Sequence, residues 1–342
     1  MKQEINYRSP TYYELAAPPE LDWRQYRGPE WHEYRRQWDE RPGSQHPGSF
    51  PLHLDIDPTN RCNLGCSMCP RTFYLKEGRQ DWNPQGRLGE MDFSLYEKLI
   101  AEGAANGLRS VKLNFLGEPL LYSRLTDMVR LAAGQGLWVM INTNATLLTE
   151  DYSLKLLEAG LSDIFFSFDS PYQKEYEAVR VGADYHRTLE NIKTFMAVKD
   201  SLGKRAVQTR ASMVLPEGLD EAALEPIKAD YIKLFRDLKV AEIGFGLPSV
   251  MGLDYEKEYG LFPGFVCPDL FRRMFVFWDG PVGPCCGDWE RGLIMGDAHT
   301  ESLAGIWQGP AYRRLRQAHV SGRYEQIEAC RKCSVPYLST VD

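Results

Sequence analysis

The sequence predicts an α/β fold built on a parallel sheet, and three observations predict it. From residue 51 onward six apolar, strand-like runs recur, and a helical stretch separates each from the next. Crossovers of that length join parallel strands, whereas antiparallel neighbours need only a tight turn. Polar residues recur at alternate positions within the strand-like runs, which gives each strand two unlike faces. Periodicity alone does not choose between an open doubly wound sheet and a closed or partial barrel.

Taken in order, residues 1–50 form an extension rich in Trp, Tyr, Arg, Glu and Pro, with a short helix expected over Trp31–Trp38 and no motif that carries chemistry. The strands are expected at Leu52–Asp57, Val111–Leu116, Trp138–Asn144, Asp163–Asp169, Gln208–Val214 and Ala241–Leu247. The helices are expected at Phe93–Asn106, Leu121–Gly134, Glu150–Ala159, Arg187–Leu202 and Asp220–Leu238. Pro248–Pro263, with Gly252 and Gly260 followed by Gly264, reads as a long connection between two units. In the tail, Phe275–Trp278, the Asp279-Gly280 turn and the return to Cys285 read as a hairpin, followed by helical stretches that end near Gly322. The expected domains are therefore 1–50, 51–250 and 264–342.

Length and charge narrow the function. The 342 residues, 43% of them hydrophobic, suffice for one large domain plus a smaller one. The net charge of -7 is dispersed without a basic stripe, so nucleic acid is not an expected partner. No apolar run approaches about 18 residues and the N-terminus has no hydrophobic signal core, so the chain is expected to be cytoplasmic with no membrane partner. Eight cysteines in a reducing compartment are better read as metal ligands than as disulfides.

Three of them, Cys62, Cys66 and Cys69, sit within eight residues directly after the first strand. A 4Fe-4S cluster normally takes four thiolates, so three leave one iron open to an outside ligand. A structural zinc site is the alternative, but it wants four closed ligands. The C-x3-C-x2-C spacing, with Thr59-Asn60-Arg61 before it and Pro70-Arg71 after it, resembles the radical S-adenosylmethionine (SAM) enzymes. The resemblance implies a partial (β/α)6 TIM barrel over about residues 51–250, with SAM chelating the open iron and releasing a 5'-deoxyadenosyl radical. Many relatives carry an aromatic residue before the last cysteine; here it is Met68, whose thioether also packs on a purine face.

Further elements fit that resemblance at successive strand ends. Gly117-Glu118-Pro119 is similar to the family's G-G-E-P element, with Leu116 in place of the first glycine, and implies that Glu118 holds the SAM ammonium. Asn144, in a run similar to T-N-G, and Ser167 with Asp169, in a run similar to S-x-D, are candidates for SAM or substrate hydroxyls. Arg180 resembles a SAM carboxylate ligand. His53, Asp55, Asp57, Lys112, Asn114, Arg210 and Ser212 fall on inward strand positions, and such a polar mouth suggests a hydroxylated or amino-bearing substrate.

The tail from Gly264 holds Cys267, Cys285, Cys330 and Cys333, with gaps of 18, 45 and 3 residues. Four thiolates close a site, whether for an auxiliary 4Fe-4S cluster or for zinc. The tail resembles the SPASM and twitch domains of radical SAM enzymes, and its cysteine complement suits the single-cluster twitch form. The gaps look like those of aminoglycoside-pathway radical SAM dehydrogenases. Cys286 is left over: a packed neighbour, the true ligand in place of Cys285, or a thiol that donates a hydrogen atom as in related epimerases. The resemblance thus implies oxidation, or alternatively epimerisation, at a carbinol carbon of a sugar or aminocyclitol. Modification of a ribosomally made peptide is the alternative. It also implies a reducing partner such as flavodoxin or ferredoxin.

Overall fold

The alternation read in the sequence folds into one curved sheet. The computed structural model describes residues 5–9, 12–76, 88–246, 260–261, 265–333 and 337–338. Two N-terminal strands, β1 (Ile5–Ser9) and β2 (Tyr12–Leu15), form a hairpin. Six strands follow in parallel and in chain order: β3 (His53–Ile56), β4 (Ser110–Leu113), β5 (Trp138–Thr143), β6 (Asp163–Ser167), β7 (Gln208–Val214) and β8 (Glu242–Gly246). Beyond them lie β9 (Gly260–Leu261), β10 (Arg273–Val276), β11 (Pro281–Gly283), β12 (Gly296–Asp297) and β13 (Tyr337–Leu338), with β9 and β13 pairing separately.

Leu54, Ile56, Val111, Leu113, Val139, Ile141, Ile164, Phe166, Ala211 and Met213 are fully buried on the outer face, against the crossover helices. The alternate residues therefore point inward. The first residues of all six parallel strands, His53, Ser110, Trp138, Asp163, Gln208 and Glu242, line one cavity of about 130 Å3. In a flat sheet the outermost two would stand about 24 Å apart, at roughly 4.8 Å per strand. Sharing so small a cavity requires the sheet to curl into a partial barrel, as expected.

The helices sit where the sequence placed them, with shifts that local chemistry explains. They are α1 (Pro29–Ser44), α2 (Pro70–Lys76), α3 (Phe93–Ala105), α4 (Leu125–Gly134), α5 (Glu150–Ala159), α6 (Gln173–Val179), α7 (Tyr185–Ser201) and α8 (Glu221–Asp237). Side chains of Asp92, Thr149, Asp184 and Asp220 cap α3, α5, α7 and α8 by accepting backbone N–H bonds. The cap at Asp184 starts α7 two residues before the expected Arg187. Conversely, α4 begins at Leu125 rather than Leu121, because Pro119–Leu121 forms a separate 3-10 turn capped by Glu118. The helix expected over Trp31–Trp38 extends to a full 16 residues, with Pro29 at its first position. Short helices α2 and α6 escaped the sequence reading.

Both ends of the sheet are extended. β2 adds antiparallel to β8, with Leu15 opposite Ile243, and β10 adds parallel to β3, with Arg273 opposite His53. The tail hairpin β10–β11 and β12 thus continue the barrel sheet. The N-terminal segment also closes the bottom of the barrel. Trp23 donates its indole N–H to Glu242 at 3.2 Å, Arg27 pairs with Asp163 at 2.7 Å, and Tyr34 stacks on Trp138 at 5.3 Å. Leu247, the boundary at residue 250, and the connection Pro248–Pro263 apart from Gly260 and Leu261 lie outside the described residues, as do Gly264 and the end of the tail beyond Leu338.

Candidate functional site

The loop after β3 is fixed from three sides. Asn60 ties it to residues 89–90: its side-chain oxygen accepts from Gly89 N at 2.8 Å, and Thr59 Oγ1 donates to Gly89 O at 2.7 Å. The end of α6 ties it again, through Gly65 N to Val181 O at 2.9 Å and Ser67 N to Val179 O at 3.0 Å. The third tie is Glu118 N to Arg61 O at 2.8 Å. Within this frame Cys66 is buried, Cys62 and Cys69 are half-buried, and Met68 is half-buried between them. The three thiols lie within electrostatic reach of one another, and burial pushes Cys66 up to about 11 against the pull of Arg180.

Gly117 shows why a glycine stands there. A Cβ at that position would fall 1.9 Å from the Thr59 carbonyl oxygen and 2.7 Å from that of Arg61, so only hydrogen lets the β4 loop seat on the cysteine loop. Glu118 is 2% exposed and already bonded: Oε1 accepts from Thr143 Oγ1 at 2.7 Å and Leu120 N at 3.1 Å, Oε2 from Asn144 N at 2.8 Å. Its carboxylate therefore first holds the ends of β4 and β5 together. Pro119 is buried at the start of the turn that follows.

Asn144 and the Asp169–Arg180 pair reach the same loop. Asn144 Nδ2 donates to Asn63 Oδ1 at 3.0 Å and lies 4.0 Å from Cys62 Sγ. Asp169 Oδ2 accepts from Arg180 Nε at 2.5 Å, its Oδ1 accepts from Val214 N at 2.8 Å, and Arg180 also reaches Cys66 Sγ at 3.9 Å. The buried Asp169 carboxylate holds the Arg180 guanidinium firmly charged beside the sulfur. Ser167 closes β6, half-buried on the inward face.

The barrel interior above the floor is a polar chamber. His53 Nδ1 meets Ser110 Oγ at 2.7 Å, Arg273 bonds Asp55 through Nε at 2.7 Å, and Arg210 pairs with Glu14 at 3.0 Å. Buried oxygens of Asp55 (Oδ1), Asp57 (Oδ1), Asn142 (Oδ1) and Ser212 (Oγ) have no hydrogen-bond partner. Burial and the nearby Asp279 raise the Asp57 carboxyl to about 7, against Arg291. Arg273 and Glu14 were missed in the sequence, since both come from strands whose pairing with β3 and β8 joins distant segments. The only hint was a basic pair, Arg272-Arg273, at the start of an apolar run.

The second cysteine group assembles beside the chamber. Cys267, Cys285, Cys330 and Cys333 line one apolar cavity with Phe265 and Leu315. His319, also missed, touches it: Nε2 lies 3.4 Å from Cys330 Sγ and Nδ1 accepts from Cys267 N at 3.4 Å. Burial lowers His319 to about 4, so it stays neutral. Cys286 turns away from this cavity. The residue is exposed, its thiol lies within electrostatic reach of Arg273, Asp55, Lys112 and Asp269, and the packing pushes its pKa up. Cys285, and not Cys286, lines the cavity with the other three cysteines. None of the eight cysteines forms a disulfide, and among the described residues no Cys, His, Asp or Glu trio closes on a single metal ion. Three thiols on one loop and four round an apolar cavity are donor sets that fit iron-sulfur clusters.

Comparison with known proteins agrees. Residues 56–225 match the radical SAM superfamily, and residues 267–334 match SPASM, an iron-sulfur cluster-binding domain. The tungsten-containing aldehyde ferredoxin oxidoreductase cofactor-modifying protein of Pyrococcus furiosus is 34% identical over 119 residues, covering 34% of this chain and 30% of that protein. The PqqA peptide cyclase of Methylobacterium nodulans is 25% identical over 312 residues, covering 83% of this chain and 78% of the cyclase. The solved structure of BtrN in complex with AdoMet and 2-DOIA shares the fold at TM-score 0.52 and 20% identity, over 83% of this chain and 93% of BtrN. Streptococcus suis SuiB bound to precursor peptide SuiA does so at TM-score 0.56 and 17% identity, over 83% and 71%. No helix among the described residues is long and apolar enough to cross a membrane. The zinc readings give way to iron-sulfur chemistry, and the chain belongs to the radical SAM enzymes that carry a C-terminal SPASM domain, with SAM and 4Fe-4S clusters as its cofactors.

Proposed function

We propose that this enzyme acts on a carbinol carbon of a sugar-like small molecule, with Cys62, Cys66 and Cys69 holding the SAM-binding 4Fe-4S cluster. Cys267, Cys285, Cys330 and Cys333 hold an auxiliary one. When bound, the reduced cluster and SAM supply a 5'-deoxyadenosyl radical able to abstract a hydrogen atom. The observation that carries the substrate class is the row of unpartnered oxygens on Asp55, Asp57, Asn142 and Ser212, which suits the several O–H donors of a polyol. Asn144, Ser167 and the Asp169–Arg180 pair lie toward the cysteine loop, where Arg180 suits the SAM carboxylate; Met68 suits its purine face, and the Gly117-Glu118-Pro119 turn its ammonium.

The cysteine gaps favour oxidation, while the position of Cys286 favours inversion. In inversion, the Cys286 S–H bond breaks, its hydrogen atom forms the new C–H bond, and the sulfur radical left behind takes one electron from an external reductant such as flavodoxin or ferredoxin and one proton from solvent. In oxidation, the substrate radical would give one electron to the auxiliary cluster that Cys267, Cys285, Cys330 and Cys333 would hold and its hydroxyl proton to solvent, leaving a ketone, and Cys286 takes no part. Peptide modification remains the second reading, supported by the extended match to the peptide cyclase. The test is to supply carbon-deuterated sugars and cyclitols to reconstituted enzyme with SAM and a reductant. Deuterium transferred into 5'-deoxyadenosine from a carbinol position supports the proposal; transfer only from peptide substrates replaces it with the second reading.

A further inference from the structure

Among the described residues, the chamber's arginines fall into pairs with carboxylates. Arg273 bonds Asp55, Arg210 pairs with Glu14, and Arg272 pairs with Asp269 at 3.2 Å. Higher up, Arg291 pairs with Asp279 at 2.8 Å. Lys112, at the middle of β4, is half-buried and set between Asp55 on β3 and Met140 on β5. Its ammonium lies within electrostatic reach of Asp55, Cys286, Arg273 and Arg210, but no hydrogen bond or ion pair joins it to any of the described residues. Asp55 attracts the ammonium only at a distance: Arg273 bonds its Oδ2, and no hydrogen bond or ion pair joins it to Lys112. The packing round Lys112 lowers its pKa, as expected of an ammonium without a partner.

An ammonium that no side chain bonds is left to water or to a ligand. The groups beside it set what that partner is. Asp55 and Glu14 balance the two guanidiniums within reach, so the ammonium is the positive charge left to repel a cationic ligand group and attract an anionic one. We infer that Lys112 is a specificity-determining residue that receives an anionic group, a carboxylate or a phosphate, of the substrate, so that this enzyme takes acidic sugars rather than aminocyclitols. The inference rests on the proposed carbinol chemistry for its sugar scaffold, while the anion site stands on Lys112 alone. The ligand's hydroxyls then face the unpartnered oxygens of Asp55, Asn142 and Ser212, and its carbinol carbon lies on the side of the chamber where Cys286 opens.

Matched pyranoses test this by anaerobic calorimetric titration of the reconstituted full chain with SAM bound. Glucuronate and glucose 6-phosphate carry the two anionic groups, glucose is neutral and glucosamine is cationic. The better of the two anions is expected to bind roughly ten- to a hundredfold more tightly than glucose or glucosamine, and identifies carboxylate or phosphate as the group. Lys112→Gln should erase that preference while melting no lower than wild type, because the charge it removes has no protein partner; Lys112→Arg should keep most of it. Tighter binding of glucosamine, or a preference for anions that survives Lys112→Gln, overturns the inference. If all four sugars are inert while an acidic peptide binds in a Lys112-dependent way, the anion site stands and the sugar scaffold falls. If no anionic probe binds, the site falls.

Discussion

The two cysteine regions are built in opposite ways. Cys62, Cys66 and Cys69 lie on one short loop, so their mutual placement is decided by local chain and a frame of backbone hydrogen bonds from α6, the β4 loop and residue 89. Cys267, Cys285, Cys330 and Cys333 come from four places in the tail and meet only because β10 docks on β3, β11 turns back, and the helix Pro310–Val320 covers the cavity. The first region is a single loop; the second is an apolar cavity gathered from distant segments. The difference teaches that a group on one loop is supported by packing behind it, whereas one gathered from distant segments is itself part of the packing.

That contrast can be broken most severely at the tail cavity. Replacing Cys267, Cys285, Cys330 and Cys333 by Ala should remove about four irons per chain and lower Tm, because a cluster that bridges distant segments stabilises the tail. Elemental analysis and calorimetry check both, and unchanged iron content would separate these thiols from any cluster. At the open loop, the equivalent blow is struck from behind. Gly117→Ala places a Cβ against the Thr59 carbonyl oxygen and should cost about 1–3 kcal/mol of stability while loosening the cysteine loop. Denaturant unfolding reads the first effect and cluster retention the second; a variant as stable as wild type would show that the two loops are not in firm contact.

A smaller effect separates support from direct binding. Glu118→Ala frees the Thr143 hydroxyl and the Asn144 and Leu120 N–H groups, and SAM affinity should fall by roughly ten- to a hundredfold with the cluster spectrum retained. Unchanged affinity, measured by equilibrium dialysis, would confine Glu118 to holding β4 and β5. The smallest effect concerns Asp57, whose folded-state pKa of about 7 exceeds its ordinary 3.8. The carboxyl is neutral in both folded and unfolded chain below about pH 3.8. From there to pH 7 the unfolded chain ionises first, so stability falls as pH rises and then levels off. Asp57→Asn should therefore raise Tm at pH 8 and leave it unchanged at pH 4.

The barrel strands were legible because alternation on a sheet leaves a mark every second residue. Leu54 and Ile56 pack outward while Asp55 points in, and the same pattern at Val111, Lys112 and Leu113 revealed Lys112 as inward. The front cysteines and the turn at Gly117-Glu118-Pro119 were legible because their spacing is local. What the sequence did not show depends on pairing between distant segments. Glu14 enters the chamber only because β2 lies on β8, and Arg273 only because β10 lies on β3. His319 meets Cys330 through the fold of the tail. The N-terminal extension read as chemically silent, yet Trp23, Arg27 and Tyr34 close the barrel floor, a role that leaves no motif.

The most direct test of the account compares two variants of the full chain, reconstituted anaerobically and supplied with SAM and dithionite. With Cys62, Cys66 and Cys69 all changed to Ala, the chain should retain about four irons and form no 5'-deoxyadenosine. With the four tail cysteines changed instead, it should retain about four irons and still cleave SAM. Formation of 5'-deoxyadenosine by the first variant would contradict the assignment of the open loop as the site of radical generation.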